Sequence, residues 1–177
     1  MQKKYLALAL PVVLFLTGCA GEPSVSTLTI SKEGEVKSYI VEEFAAPYYD
    51  AEELKSNVLD DILYANEQLK QTAIELTGYE LVEGVLHATI EYQSTKAYEE
   101  FNEETLYVGL WEEAVNEGYE IDAAIENDNY HVAVFTEPVD VKVPKKILYV
   151  SDGLQKTGKK TVTVTDKEKE IYYIIYE

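Results

Sequence analysis

The residues from Gly153 to Lys160 come closest to a known chemical motif. They read GLQKTGKK, which departs at one position from the phosphate-binding loop, where Ser or Thr must follow the lysine to hold Mg²⁺. That position is Lys160, and the residues after it, 161 to 165, alternate like a strand. A phosphate loop is instead followed by a helix whose amide groups meet the phosphates. We therefore predict a lysine-rich hairpin loop and no nucleotide binding.

Acidic doublets are the next candidates, because paired carboxylates can perform acid-base hydrolysis or bind hard cations. Adjacent residues point apart on a helix and to opposite faces of a strand, so the fold would have to assemble a working pair from distant positions. We predict that these doublets form solvated surface. They are Glu42-Glu43, Glu52-Glu53, Glu99-Glu100, Glu103-Glu104 and Glu112-Glu113.

Metal and nucleophile signals are weaker. The run from Glu126 to Asn129 is rich in oxygen ligands but lacks the spacing of a helix-loop-helix calcium site, and its residue types favour a turn. His87 and His131 stand alone, without the three ligands that zinc needs. There is no G-x-S-x-G sequence, and the single cysteine is Cys19. We expect no metal, no cofactor and no catalytic residue.

Tyrosine is the compositional outlier, with 15 residues. It combines apolar area with a hydroxyl group, which suits a surface that binds glycan or protein, and it equally suits the half-buried surface of a sheet. The clustered residues Tyr48, Tyr49, Tyr172 and Tyr173 are the candidate ligand-binding residues.

The charge is strongly negative and unevenly distributed. The chain has 33 acidic residues and 15 basic ones, all lysine, for a net charge of −18. Residues 19–137 contain 27 acidic residues and 5 lysines, whereas residues 138–177 contain 6 acidic residues and 8 lysines. Because nucleic acids require clustered basic residues, we exclude them as partners.

The first 18 residues have the order of a secretory signal peptide. Lys3 and Lys4 precede an apolar run from Leu6 to Leu16, and small residues follow. The apolar run has about 11 residues, where a membrane-spanning helix needs about 20. We therefore predict that residues 1–18 are a cleaved signal.

The end of this segment resembles the lipobox of bacterial lipoprotein precursors. Leu16, Thr17 and Gly18 would form the cleavage sequence, and Cys19 would carry a diacylglycerol group. Several acyl chains give stable anchoring, whereas one gives only reversible binding. The resemblance implies a protein held by lipid on the outer face of a bacterial cell membrane, with residues 19–24 as the lipidated tether.

Residues 25–177 are predicted to form a single α+β domain, with a mainly antiparallel sheet, one longer helix and two short ones. Strands joined by short turns, without regular alternation with helices, favour this class. Helical spacing or capping signals predict helices over 51–68, 96–102 and 110–117. Alternation and turn residues predict strands over 24–30, 35–41, 130–135, 139–143, 147–150, 161–165 and 171–176, with a hairpin over 79–92.

The resemblance extends into the mature chain. The stretches STLTISKEGEVKSYIVEEFAAPYYDAEELKSNV, KILYVSDG and YYIIY resemble a group of uncharacterised lipoproteins from Gram-positive anaerobic bacteria. The resemblance implies the location alone and carries no activity.

Together these observations favour a non-enzymatic, membrane-anchored module that binds an envelope component or an extracellular partner, with glycan or protein as ligand. Two alternatives stay open. One is a carboxylate-dependent glycan hydrolase, which would need two facing carboxylates in a deep pocket. The other is a receptor for an ion or solute. The oligomeric state cannot be read from one sequence.

Overall fold

A computed structural model describes residues 23–44, 46, 50–121, 127 and 129–177. Over these residues the chain forms three helices and eleven strands, which confirms the predicted α+β class with mainly antiparallel pairing. In chain order the elements are β1 (Thr27–Ile30), β2 (Val36–Glu43), α1 (Ala51–Leu69), β3 (Ile74–Val82), β4 (Val85–Tyr92), α2 (Thr95–Asn102), β5 (Leu106–Leu110), α3 (Trp111–Asn116), β6 (His131–Phe135), β7 (Asp140–Lys142), β8 (Ile147–Val150), β9 (Leu154–Lys156), β10 (Thr161–Val164) and β11 (Tyr172–Tyr176).

The described strands form two sheets. A seven-stranded sheet has the order β3-β4-β2-β1-β7-β10-β9, and a four-stranded sheet has the order β5-β6-β11-β8. Neighbouring strands are antiparallel except β1 and β7, which run parallel. This parallel pair joins the N-terminal hairpin to the C-terminal strands.

Local sequence signals place the helix starts and the tight turns. The carboxylate of Asp50 accepts hydrogen bonds from the backbone N–H groups of Glu52 and Glu53, so α1 begins where the capping residue predicts. The two hairpin turns contain Gly34 and Gly84 with φ of 84° and 80°, a backbone conformation that glycine adopts without strain. The hairpins β1–β2 and β3–β4 are therefore confirmed.

Three strand assignments differ from the sequence prediction. β5 and β9 were not predicted, and β3 begins at Ile74 rather than at residue 79. A bulge between Leu76 and Gly78 breaks the alternation of β3, and Gly109 interrupts that of β5. β9 has three residues and lies at a sheet edge, so its sequence carries little periodic signal.

The main core lies between the inner faces of the two sheets, with α1 and α2 packed against it. The aromatic rings of Phe135 and Tyr172 stack inside it with centroids 5.2 Å apart. A second cluster, around Trp111 and Val132, covers the other face of the four-stranded sheet. The four-stranded sheet is thus packed on both faces, whereas the outer face of the seven-stranded sheet carries polar residues.

Candidate functional site

The outer face of the seven-stranded sheet is the candidate site, and we call it the open face. Along each strand, alternate residues point into the core and out to this face. The inward residues of β1, such as Leu28 and Ile30, are buried, while their neighbours are partly accessible. The residues that define the open face are Thr27, Thr29, Lys37, Tyr39, Thr89, Glu91, Asp140, Lys142, Thr161 and Thr163.

Strand register sets these side chains in rows across the sheet. One row follows the register from Thr161 through Lys142, Thr29 and Lys37 to Glu91. In the next row, Thr27 lies between Asp140 and Tyr39, and Tyr39 lies opposite Thr89. Cross-strand neighbours have Cβ atoms about 4.5–5.5 Å apart, so each row presents a continuous series of polar groups.

Two cavities open on this face, with volumes of about 570 and 930 Å³. Both are lined by Thr29, Lys37, Tyr39 and Glu91, so these four residues form the centre of the surface. The volumes lie within the range of about 300–1,000 Å³ that is usual for ligand pockets.

The smaller cavity is lined mainly by polar side chains. They include Lys37, Glu75 and Glu91 from the outward positions of β2, β3 and β4, and Gln93, which follows β4. The apolar residues Val36, Ile74 and Tyr92 also border it, but they are 2% exposed and their side chains belong to the core. A ligand there would meet hydroxyl, amide and charged groups together with the Tyr39 ring.

Lys37 is the charged centre of the site. Its amino group lies 2.5 Å from a carboxylate oxygen of Glu91 and 5.9 Å from the centroid of the Tyr39 ring. Partial burial lowers the pKa of Lys37, but the hydrogen bond to Glu91 and the nearby charges of Tyr39, Glu91 and Glu35 raise it more. The net pKa is above the usual value, so Lys37 stays protonated at neutral pH.

The facing carboxylates nearest to this centre are Glu75 and Glu91. They lie directly opposite each other on β3 and β4, and both line the smaller cavity. At cross-strand spacing both can reach one ligand, but Lys37 already binds Glu91. This pair meets one of the two requirements of the hydrolase alternative, since the carboxylates face each other, but Glu75 is exposed rather than enclosed in a deep pocket.

A second polar cluster lies away from the open face, at the junction of α2 with the end of β6. It consists of Tyr92, Tyr98, Asn102 and Glu137. The Tyr98 hydroxyl donates a hydrogen bond to Glu137, and the Asn102 amide donates one to the Tyr92 hydroxyl at 3.2 Å. Burial raises the pKa of Glu137, and the charges of neighbouring glutamates add to this, while the Tyr98 hydrogen bond opposes it. Burial likewise raises the pKa of Tyr98. This cluster joins α2 to the segment between β6 and β7.

The structure separates the tyrosines that the sequence groups together. Tyr172 is fully buried, and its hydroxyl donates to the Asp166 backbone carbonyl at 2.7 Å, so Tyr172 is a core residue and not a surface ligand contact. Its prediction as a binding residue is corrected by this burial. Tyr173 is half-buried on the other sheet, where its ring stacks on Tyr149 with centroids 5.9 Å apart. It does not reach the open face.

Several predicted residues lie outside the described part of the chain. These are Tyr48 and Tyr49, together with Leu16, Thr17, Gly18 and Cys19 of the lipobox-like sequence. Their roles stay predictions.

The phosphate-loop-like segment forms the predicted hairpin, with β9 paired antiparallel to β10. A strand follows the glycines, where a phosphate loop would need a helix. Two of its lysines contact backbone carbonyls: Lys156 donates to Ile147 at 2.8 Å and Lys160 to Pro144 at 2.7 Å. The segment thus holds the C-terminal strands together.

The possible metal ligands do not converge. Asn127 accepts a hydrogen bond from the Asn129 backbone N–H at 3.0 Å, as expected of a turn, while Glu126 and Asp128 lie outside the described residues. His87 lies on β4, whereas His131 lies on β6 and stacks on Tyr176. Within the described ranges no group of three His, Cys, Asp or Glu side chains is placed to hold a metal ion.

Sequence reasoning did not single out Lys37, Tyr39 or Glu91. The sequence pattern that could have identified them is the alternation within β2 and β4, where polar residues alternate with residues that are buried in the core. Tyr39 was overlooked because it stands alone, whereas tyrosine doublets drew attention to other segments.

Two further findings bear on the chain as a whole. Among the described helices, none combines the length and the apolar character needed to cross a membrane. Comparisons with known protein families, with curated proteins and with solved structures give no match.

Proposed function

We propose that this chain is a lipid-anchored, extracytoplasmic binding module whose open face binds glycan from the cell envelope or from an extracellular partner. The observation that carries the proposal is the centre of the open face. There Tyr39 lies among threonine hydroxyls beside the Lys37–Glu91 ion pair, and two cavities meet.

The charge balance of the open face favours a neutral polar ligand. The defining residues include two lysines, Lys37 and Lys142, and two carboxylates, Glu91 and Asp140. The smaller cavity adds Glu35 and Glu75, so this region is only slightly acidic, whereas the whole chain has a net charge of −18. A sugar offers hydroxyl groups that these side chains can bind and an apolar ring face that can contact Tyr39. The face thus matches carbohydrate better than a highly charged polymer.

The anchor is supported by the sequence before the domain. If Cys19 carries the lipid, Cys19→Ala should abolish the uptake of labelled fatty acid into the protein in cells. Equal labelling of the wild type and of this variant would contradict the anchor and leave the binding proposal untouched.

Glycan binding can be tested by isothermal titration calorimetry with soluble cell-wall glycan fragments and the full chain in detergent micelles. Among the described residues that define the open face, Tyr39 is the one with an aromatic ring. Tyr39→Ala removes this ring, so we expect the affinity to fall at least tenfold, which corresponds to about 1.4 kcal/mol. Tyr64→Ala is the matched control, because Tyr64 lies on α1 and is 65% exposed. Fragments that bind wild type and Tyr39→Ala equally would refute this use of the open face.

The hydrolase alternative is favoured by one observation, the facing pair Glu75 and Glu91 in the smaller cavity. The same fragments, incubated with the protein, would then gain reducing ends. Glu91→Gln should abolish this gain, since an amide cannot replace a carboxylate in acid-base work. Binding without cleavage by the wild type would leave the binding module as the function.

A further inference from the structure

β3 forms one edge of the seven-stranded sheet. Its inner side pairs with β4, and within the described residues no strand pairs with its outer side. Such an edge presents backbone N–H and C=O groups that can accept an additional strand. β3 has nine residues, which is long for an edge strand.

The first residue of this edge already has a side-chain partner. The Asn66 amide donates to the Ile74 carbonyl at 2.9 Å and accepts from the Ile74 N–H at 3.0 Å. It thereby imitates the pair of hydrogen bonds that a neighbouring strand would make. In the part of the chain that the structure describes, no side chain gives the backbone from Glu75 to Val82 a similar cover.

α1 places two exposed leucines beside this edge. Two residues of α1 contact β3. The Lys55 amino group lies 5.6 Å from the centroid of the Tyr79 ring, and the Asn66 side chain is hydrogen-bonded to Ile74. The line along α1 that joins Lys55 to Asn66 therefore marks the side of the helix that faces β3. Leu59 and Leu63 follow Lys55 at i+4 and i+8, so they border this line on its solvent side. Their exposed fractions are 42% and 63%.

Two exposed apolar side chains lie next to each other beside this edge. In the described residues, eight large apolar side chains are exposed, and five of them lie on α1 and β3: Leu59, Leu63, Tyr64, Leu81 and Val82. Tyr64 lies half a turn round α1 from Lys55 and so points away from β3, and Leu81 and Val82 lie at the end of β3 far from Ile74. Leu59 and Leu63 are thus the adjacent pair, and grouped exposed apolar residues mark interaction surfaces.

The charge around this edge determines which partner fits. Residues 50–83, which contain α1 and β3, have nine acidic residues and two lysines. Two such edges would repel each other, which disfavours pairing with a second copy of this chain. A basic strand would instead be attracted.

We propose that the β3 edge, with Leu59 and Leu63 beside it, binds an extended basic peptide segment of another protein as an additional strand. Backbone hydrogen bonds to β3 supply the attachment, and apolar side chains at alternate positions of the segment contact the two leucines. This surface lies at one edge of the sheet, outside the open face, and is independent of glycan binding.

The test uses the full chain in detergent micelles and a synthetic peptide of alternating lysine and valine, eight residues long. A peptide of alternating glutamate and valine is the charge control. Fluorescence anisotropy should show binding of the basic peptide only. Hydrogen–deuterium exchange should slow in Ile74–Val82 when this peptide is bound, and stay unchanged in β9 at the opposite edge of the sheet.

The double variant Leu59→Gln and Leu63→Gln should weaken peptide binding at least tenfold, because glutamine keeps the helix but removes the apolar contact. Val115→Gln on α3, where the valine is 39% exposed, is the matched control and should bind like wild type. Equal affinity of the double variant, or protection spread away from β3, would overturn the proposal. A concentration-dependent dimer that the double variant abolishes would do the same, since the occupant would then be a second copy.

Discussion

Replacing Asn66 with alanine tests how the long helix is held against the seven-stranded sheet. The Asn66 side chain makes three hydrogen bonds, to the N–H groups of Ala73 and Ile74 and to the Ile74 carbonyl, at 2.8, 3.0 and 2.9 Å. Ala73 and Ile74 are 2% exposed, so water cannot easily replace these bonds. Asn66→Ala leaves the N–H and C=O groups of Ile74 without this partner, while the Ala73 N–H keeps only its hydrogen bond to the Gln71 carbonyl at 3.1 Å.

The expected cost follows from these bonds. Each hydrogen bond contributes about 1 kcal/mol net, and an unsatisfied buried group costs about 1–3 kcal/mol, so the loss should be about 3 kcal/mol. Alanine recovers about 0.6 kcal/mol through its higher helix propensity. The free energy of unfolding should thus fall by about 2–3 kcal/mol, which lowers the melting temperature by about 4–12 °C in a domain of this size.

Asn57→Ala on the same helix is the matched control, because Asn57 is exposed. It gains the same helix propensity and loses no contact with β3, so its stability should equal or slightly exceed that of the wild type. Asn66→Asp keeps the acceptor but turns a charged oxygen towards the Ile74 carbonyl, so it should also be less stable than wild type. Urea denaturation followed by circular dichroism measures all three. If Asn66→Ala were as stable as Asn57→Ala, the role of Asn66 in holding α1 to β3 would be refuted.

Two predictions concern pH. Burial raises the pKa of Glu137 above its ordinary value of 4.5, so its contribution to stability is present below that value and is lost as pH rises through the folded pKa. Between pH 4.5 and 7 the wild type should lose this contribution, whereas Glu137→Gln, which does not titrate, should not. The free energy of unfolding of the variant, measured by urea denaturation, should therefore rise relative to that of the wild type. A difference that does not change with pH would contradict this. Burial raises the pKa of Tyr176 from 10.0 to about 12, so its contribution to stability is present below pH 10 and about 2 kcal/mol of it is lost by pH 12. Tyr176→Phe has no hydroxyl to ionise, so its free energy of unfolding should fall less than that of the wild type between pH 10 and 12. Urea denaturation measures this, and equal falls in the two proteins would refute the argument.

Elements and hairpins with local signals were predictable from the sequence, whereas the pairing between distant strands was not. Asp50 determines the start of α1, and Gly34 and Gly84 determine two hairpin turns, because each signal acts within a few residues. The division of the strands into two sheets depends on contacts between distant residues. The parallel pairing of Thr27 with Asp140 has no local marker.

The candidate site shows the same limit. The alternation in β2 predicts that Lys37 and Tyr39 share one face, but only the sheet order brings β4 beside β2 and places β7 on the far side of β1. Residue type alone pointed to tyrosine clusters, and Tyr172 proved to be a core residue. A tyrosine in a strand suits the core and a binding face equally, so composition cannot distinguish the two.

The fold converts the uneven charge of the sequence into a difference between two sheet edges. The parallel pair β1–β7 joins the acidic N-terminal strands to the lysine-rich C-terminal strands. Glu75 and Glu80 therefore lie on one edge strand, while Lys156 lies on the other. Seven strands span roughly 29 Å at about 4.8 Å per gap, which exceeds the Debye length of about 8 Å at physiological salt. Each edge thus presents its own charge to a partner, and a basic segment should be drawn to β3 and repelled by β9.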